Sequence, residues 1–332
     1  MKKIMNDAYA YAEQTLAGLC AAYPQYYARS KDSPNVIMRA ARPAQPKVGI
    51  VSGGGSGHLP VFTGYVGPGL LDACAVGDVF ASPSADAMAT AMREASSGKG
   101  VLRLYGNYGG DVMNFDMAGD LVEADGIEST TVLLADDVAS ASLAEREKRR
   151  GVAGMVFAFK IAGAAAEAGL DLAGVTSVAG EVADRIRSMG VALSPCTVPQ
   201  AGTPTFTISE SEMEIGMGIH GEPGVHRGPL ESADRIADAL LDPILDDLKP
   251  SRGDRFTLLV NSLGATPVEE LFILYTRIGQ RLADAGIAVA HPLVGRYATS
   301  MEMAGASLTI LPLNERLERY LTAPAACAFW KV

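Results

Sequence analysis

Val48-Gly49-Ile50-Val51-Ser52-Gly53-Gly54-Gly55-Ser56-Gly57-His58 is the stretch whose reading decides the fold. Val48, Ile50 and Val51 predict a strand over 48–52, and the glycines after it predict a turn that ends on His58. Glycine tolerates positive φ and lets backbone N–H groups approach a ligand closely. A dinucleotide fingerprint would need glycine at position 58, and a phosphate loop would need Gly-Lys-Ser/Thr to follow; neither is present. The turn therefore points to a polar ligand of another kind.

Outward from this stretch the pattern alternates. Asp72–Val76 predicts a buried strand, and Ser84 caps a helix over 85–96 with Met88 and Met92 on its apolar face. Val101–Tyr105 predicts a strand that breaks into Gly106-Asn107-Tyr108-Gly109-Gly110-Asp111, followed by a helix over 112–124. Thr130–Ala135 is a further strand, ending in Asp136-Asp137, with helices over 152–168 and 172–189. Alternation of strand and helix implies a largely parallel sheet, in which ligands sit beyond the carboxyl ends of the strands. His58, Asp111 and Asp136-Asp137 all follow such ends. Upstream, a helix is expected over 6–23 and irregular chain over 25–46, where Pro34, Pro43 and Pro46 fall.

Composition changes after 190, with a segment rich in Pro, Thr and Ser through Ser211. Beyond it a strand over Glu214–Ile219 leads to His220. Helices over 231–247, 267–285 and 313–321 and strands at Phe256–Val260, Ile287–Ala290 and Ala306–Pro312 follow. The expectation is two α/β domains with largely parallel or mixed sheets flanked by helices. Residues 1–190 would carry the glycine-turn pocket, and residues 191–332 would contribute His220. No internal repeat is found.

The 332 residues are enough for two full cores, and 48% apolar with 20% charged residues is an ordinary globular composition. A net charge of −10 argues against a nucleic-acid surface. The short basic cluster Arg146–Arg150 reads as a solvated loop or helix end. Four scattered cysteines without a CxxC pair signal neither zinc nor a redox pair. No signal-peptide pattern and no apolar run of about 18 residues is evident, so a cytoplasmic protein without membrane spans is expected.

Among the polar candidates, Asp111 reads either as a helix cap or as a reactive carboxylate. His220 sits between Gly218, Gly221 and Gly224, too bare a backbone for a core histidine. His226 and His291 read as structural. The four histidines show no metal-ligand spacing, so no metal site is expected in this chain. Asp136 and Asp137 are open to reading as an acid–base pair or a magnesium site, but a surface loop is the plainer account.

At four places the sequence resembles the substrate-binding (K) subunit of dihydroxyacetone kinases: Gly53-Gly54-Gly55-Ser56-Gly57-His58, Gly109-Gly110-Asp111-Val112-Met113-Asn114-Phe115, Arg149-Arg150-Gly151-Val152-Ala153-Gly154 and Gly218-Ile219-His220-Gly221-Glu222-Pro223-Gly224. The resemblance implies a homodimeric two-domain α/β subunit that holds a short ketose as a covalent hemiaminal on His220. It implies that Asp111 accepts the proton of the hydroxyl being phosphorylated and that His58 hydrogen-bonds the substrate. The backbone of Gly55, Ser56 and Gly57 would bind its oxygens. A small ketose offers few contacts, so a reversible covalent bond supplies affinity that its atoms cannot.

Two positions depart from the family. Gly106 stands where a lysine is familiar, and Leu59 stands where Gly-His-Glu-Pro has glutamate. Losing the lysine opens volume, so erythrulose is as good a candidate substrate as dihydroxyacetone. The resemblance also implies that no cofactor is bound by this chain. ATP or ADP with magnesium would sit on a separate helical L-type subunit. A ketose-sensing regulatory module is the alternative, which Asp111 disfavours because pure binding needs no base. A nucleotide-dependent oxidoreductase is disfavoured by His58.

Overall fold

The computed structural model describes residues 2–332 and divides into two compact units, each discontinuous in sequence. The first comprises residues up to Leu134, Met155–Ala183 and Leu317–Val332; the second comprises Ala135–Gly154 and Asp184–Arg316. The division expected from the sequence is a single one, near residue 190.

The first unit is built on a six-stranded sheet of β1 (Tyr27–Arg29), β2 (Val36–Arg39), β3 (Gly49–Ser56), β4 (Ala73–Val79), β5 (Val101–Gly106) and β6 (Ser129–Leu134), in the order β1-β2-β4-β3-β5-β6. The run β4-β3-β5-β6 is parallel, and β1 and β2 add antiparallel strands at one edge. These two strands occupy the stretch expected to be irregular. Its prolines lie between or beyond the strands, so they mark turns and do not break the ladder. The helices are α1 (Tyr11–Ala22), α2 (Ala85–Ala95), α3 (Gly109–Ala124), α4 (Met155–Glu167) and α5 (Leu172–Arg185). Ser84 caps α2, its hydroxyl accepting from the Ala87 amide at 3.2 Å. Met88 and Met92 lie in the core with Val51, Tyr105 and Phe115.

α4 is buried on every side from Met155 to Ala166, which explains its unpatterned run of Ala and aromatic residues. A Cβ on Gly163 would lie 2.5 Å from the Leu70 amide nitrogen, so this helix rests directly on backbone. Lys160 is wholly buried within it and donates to the Tyr320 carbonyl at 2.6 Å, in the closing helix α8 (Glu315–Leu321). Burial pulls its ammonium down to about 8.

The second unit carries a seven-stranded sheet of β7 (Arg187–Ser194), β8 (Glu212–Ile215), β9 (His226–Pro229), β10 (Arg255–Ser262), β11 (Ala288–Val289), β12 (Leu293–Gly295) and β13 (Ala304–Pro312). The path is β11-β10-β13-β7-β8-β9, with β12 on β10; only β11 and β12 pair in parallel. Helices α6 (Ala233–Leu248) and α7 (Val268–Asp284) supply Leu240, Ile244, Leu271 and Ile278 to its core.

The helix expected over 172–189 stops at Arg185. From Arg187 the chain pairs with β13, because antiparallel pairing with Ile310 and Thr309 overrides local helical spacing. The strand expected over Glu214–Ile219 ends at Ile215, where Gly216 turns at φ +80°. No helix among the described residues is long and apolar enough to cross a membrane.

Candidate functional site

The sequence-predicted residues fall in both units. In the first, Gly55, Ser56, Gly57 and His58 end β3, while Gly106 ends β5 and Asp111 opens α3. Because β3 and β5 are adjacent and parallel, these groups share the carboxyl edge of one sheet.

The glycine stretch is mostly strand, and this corrects the expected turn. β3 runs through Gly53, Gly54 and Gly55 to Ser56, and only Gly57 in that stretch has a positive φ, +102°. The glycines are required by what lies against them. A Cβ on Gly54 would collide with the Phe62 ring, and one on Gly55 would stand 2.7 Å from the Phe80 Cα and the Ala81 amide nitrogen. A Cβ on Gly53 would stand 2.9 Å from the Ala75 carbonyl oxygen. The ladder to β4 slips at Gly55/Ser56, a bulge of the kind that re-aims side chains at strand ends.

His58 is only 3% exposed. Its ring stacks on Phe80 at 4.8 Å and 18° and meets Phe62 edge-on at 6.3 Å. Phe80 adopts φ +59°, costly for an aromatic residue, and its amide donates to the Ser56 carbonyl at 3.0 Å. No sequence pattern marked Phe80 as a partner of His58.

Asp111 stands in the first turn of α3 and is 9% exposed. It is not the cap: Tyr108 holds that position, with no side-chain capping bond. The helix N-terminus favours negative charge at Asp111. Gly110 allows Ser82 to approach this turn, a Cβ there lying 3.3 Å from the serine Cβ. Asn114 secures the same segment by donating to the Pro83 carbonyl at 2.8 Å.

In the second unit, His220 lies in the loop after β8. Its Nδ1 is 3.0 Å from Glu222 Oε1, and its amide donates to Oε2 at 2.9 Å. Burial opposes ionisation of Glu222, but the hydrogen bond and charge of His220, with backbone amides, outweigh it and hold the carboxyl at about 2. An ionised carboxylate only accepts, so in the neutral imidazole the proton sits on Nδ1 and Nε2 carries the lone pair. The loop's glycines are steric necessities. Gly221 turns at φ +88°, and a Cβ on Gly218 would collide with Glu222 and Arg150, as one on Gly224 would with the Ile215 carbonyl.

Asp136 and Asp137 form no surface loop; they are 0% and 3% exposed. They do face different partners. Asp136 accepts from the amides of Val152 (2.9 Å) and Gly154 (2.8 Å) and from the Ser188 hydroxyl (2.5 Å). Asp137 pairs with Arg150, at 2.9 Å from Nε. Burial pushes both carboxyls up, Asp137 to about 6 against the pull of Arg150.

The basic cluster is likewise divided. Arg146 and Lys148 are exposed, but Arg149 is buried on Asp247 at 2.5 Å, and Arg150 is nearly so. No group of three or more His, Cys, Asp or Glu among the described residues is arranged to hold a metal ion.

Against known proteins, the Dak1 domain family matches residues 17–329. The chain is 43% identical, over the full length of both, to the dihydroxyacetone-binding subunit DhaK of PTS-dependent dihydroxyacetone kinase 2 from Listeria innocua. It is 44% identical to D-erythrulose kinase from Mycolicibacterium smegmatis, with all of this chain covering 57% of that one. Two solved structures each superpose with a TM-score of 0.89. One is the dihydroxyacetone kinase operon co-activator DhaQ, at 32% identity, covering 96% of this chain and 98% of that one. The other is the dihydroxyacetone kinase of C. freundii with AMP-PNP and Mg2+, at 31% identity, covering 99% of this chain and 61% of that one. The chain belongs to the Dak1 family, whose members include subunits of dihydroxyacetone and erythrulose kinases.

Proposed function

We propose that this chain is the ketose-holding subunit of a dihydroxyacetone or erythrulose kinase, with the substrate bound to His220 as a covalent hemiaminal. The observation that carries the reading is the Glu222 carboxylate on Nδ1 of His220, which leaves the Nε2 lone pair for the ketone. In that addition the Nε2–C bond forms as the C=O π bond breaks. The Nδ1 proton leaves the ring, and a proton reaches the new alkoxide. The product is a neutral N-substituted imidazole bearing a carbinol.

Asp111 then accepts the proton of the terminal hydroxyl as it attacks the phosphoryl donor. His58, ordered between Phe62 and Phe80, hydrogen-bonds the substrate and assists that transfer. Backbone groups of Gly55, Ser56 and Gly57 bind the ketose oxygens beside Gly106. The donor, ATP or a bound ADP rephosphorylated in place, is held with magnesium by an L-type subunit or segment, and the K-type chain works as a homodimer. Full-length coverage of the DhaK subunit, against 57% of D-erythrulose kinase, supports a division of labour of this kind. Glycine at 106, where a lysine is familiar, keeps the four-carbon ketose as good a candidate as dihydroxyacetone.

The test is intact-protein mass after incubation with dihydroxyacetone or erythrulose, followed by ketose phosphate formation once an L-type partner and Mg-ATP are added. His220→Ala should lose the ketose-sized adduct, and Asp111→Ala should keep the adduct but make no ketose phosphate. An undiminished adduct on His220→Ala refutes covalent capture at this residue. A second reading, a ketose-sensing regulator, is favoured by the likeness to the co-activator DhaQ. Adduct formation without ketose phosphate in the wild type, with every donor supplied, would select it.

A further inference from the structure

We propose that Arg150, held by Asp137, is a positioning residue for His220, because it fixes the Glu222 carboxylate on which the tautomer of the imidazole depends. The inference rests on the capture chemistry proposed above.

A single guanidinium meets three parts of the second unit. Nε donates to Asp137 Oδ2 at 2.9 Å, and Nη2 lies 2.7 Å from the same oxygen. Nη2 also donates to the Gly216 carbonyl at 3.1 Å, where β8 gives way to the His220 loop. Nη1 stands 3.9 Å from Glu222 Oε2, the oxygen that accepts the His220 amide. Gly218 is the opening that permits this approach, since a Cβ there would collide with both Nη1 and Oε2. The planar fork of arginine holds two acceptors, Asp137 and the Gly216 carbonyl, at fixed angles and so aims Nη1 at Glu222 across an ion-pair distance, which a lysine ammonium cannot reproduce.

Apolar packing accounts for only part of the loop's position: Met217 and Ile219 are each 7% exposed, but the packing under them is incomplete. A cavity of about 20 Å³ lies against it, lined among others by Met217 and Ile219 of the loop and by Asp137, Met189, Asn261 and Ser307. That is space for about one water, so the packing on this side leaves the loop some freedom. The polar ties complete its placement, and the Asp137–Arg150 pair is their anchor: Asp137 is 3% exposed, whereas the Glu222 side chain is 32% exposed. Without Arg150 that carboxylate keeps its bonds to His220 but turns toward solvent part of the time. The ring then exchanges between tautomers, and only a fraction presents the Nε2 lone pair.

The experiment uses the full chain as Arg150→Met, Arg150→Lys and Asp137→Asn. Three quantities are read: the rate of adduct formation with dihydroxyacetone, the 15N shifts of the His220 ring, and the melting temperature. Outer partners of metal-ligating histidines are typically worth about 10–100-fold, and the same scale is expected for this imidazole. Arg150→Met should therefore slow capture by about that factor and move the ring shifts from one Nδ1–H tautomer toward a mixture. Arg150→Lys should recover part of both, and Asp137→Asn should fall between. Should Arg150→Met fail to fold, the other two variants carry the test. Wild-type shifts and wild-type capture in a folded variant overturn the inference. So does slowed capture with unchanged ring shifts, which marks a merely structural role. If the wild type itself takes up no ketose, the capture reading fails, while the 15N shifts, which need no ketose, still decide what Arg150 does.

Discussion

Gly55→Ala tests whether the glycines of β3 exist for the approach of neighbouring backbone. The added Cβ would stand 2.7 Å from both the Phe80 Cα and the Ala81 amide nitrogen, and ordinary contact begins near 3.4 Å, so something must move by about 0.7 Å. The obstructing atoms are backbone, so no rotamer change relieves them. Overpacking of this kind costs about 1–3 kcal/mol. At about 2–4 °C for each kcal/mol, the first unit should melt some degrees lower.

The displaced segment carries Phe80, whose amide bonds Ser56 at 3.0 Å and whose ring stacks on His58 at 4.8 Å. Ketose phosphate formation should therefore fall by more than the loss of folded protein explains. Gly109→Ala is the matched control. It lies in the first turn of α3 with nothing within 4 Å of the added atom, and its stability should change by less than about 0.5 kcal/mol. Thermal melts and turnover with an L-type partner measure both variants. If Gly55→Ala melts and turns over like Gly109→Ala, the steric account of the glycine strand is wrong.

Glu222→Gln should destabilise the second unit in a pH-dependent way. The folded-state carboxyl is depressed from 4.5 to about 2, so the wild type's advantage is complete above about pH 4.5 and is lost as pH falls through about 2. With roughly a third of the side chain exposed, solvent screening leaves about 1–2 kcal/mol of it. Urea unfolding between pH 3 and 6 should show the gap narrowing as pH drops, and a constant gap would remove the ionic interpretation. In the first unit, Asp72→Ala leaves two buried cations short of their partner. Asp72 lies 2.5 Å from Lys47 Nζ and 3.0 Å from Arg39 Nη1, and it also accepts the Ile50 amide at 2.9 Å. The loss should be about 3–5 kcal/mol in urea unfolding, with Glu167, 2.7 Å from Arg39, offsetting a part. A loss under about 1 kcal/mol would show that the network contributes little.

The parallel part of the first sheet could be read from the sequence because each of its strands is a short apolar run closed by glycine or aspartate. Helix α2 could be read because Ser84 and the Met88/Met92 spacing act locally. What could not be read depends on distant partners. β1 and β2 lack a strong alternating pattern and are defined by pairing across the edge of β4. β7 looked like the end of a helix until Ile310 and Thr309 were opposite it.

The same limit applies at the candidate site. A run of glycines carries no sign of whether it bends or whether it makes room, and here it mostly makes room, for Phe62 and the backbone at Phe80. Asp136, Asp137, Arg149 and Arg150 are four charges that, taken singly, belong at the surface. In pairs they can be buried, and pairing depends on the third dimension. The motif around His220 marked the imidazole because its glycines are adjacent in sequence. The groups that would set its tautomer come from Glu222 two residues away and Arg150 seventy residues earlier. Reactivity is thus visible as a residue type, whereas the protonation state that makes it useful belongs to contacts no linear pattern records.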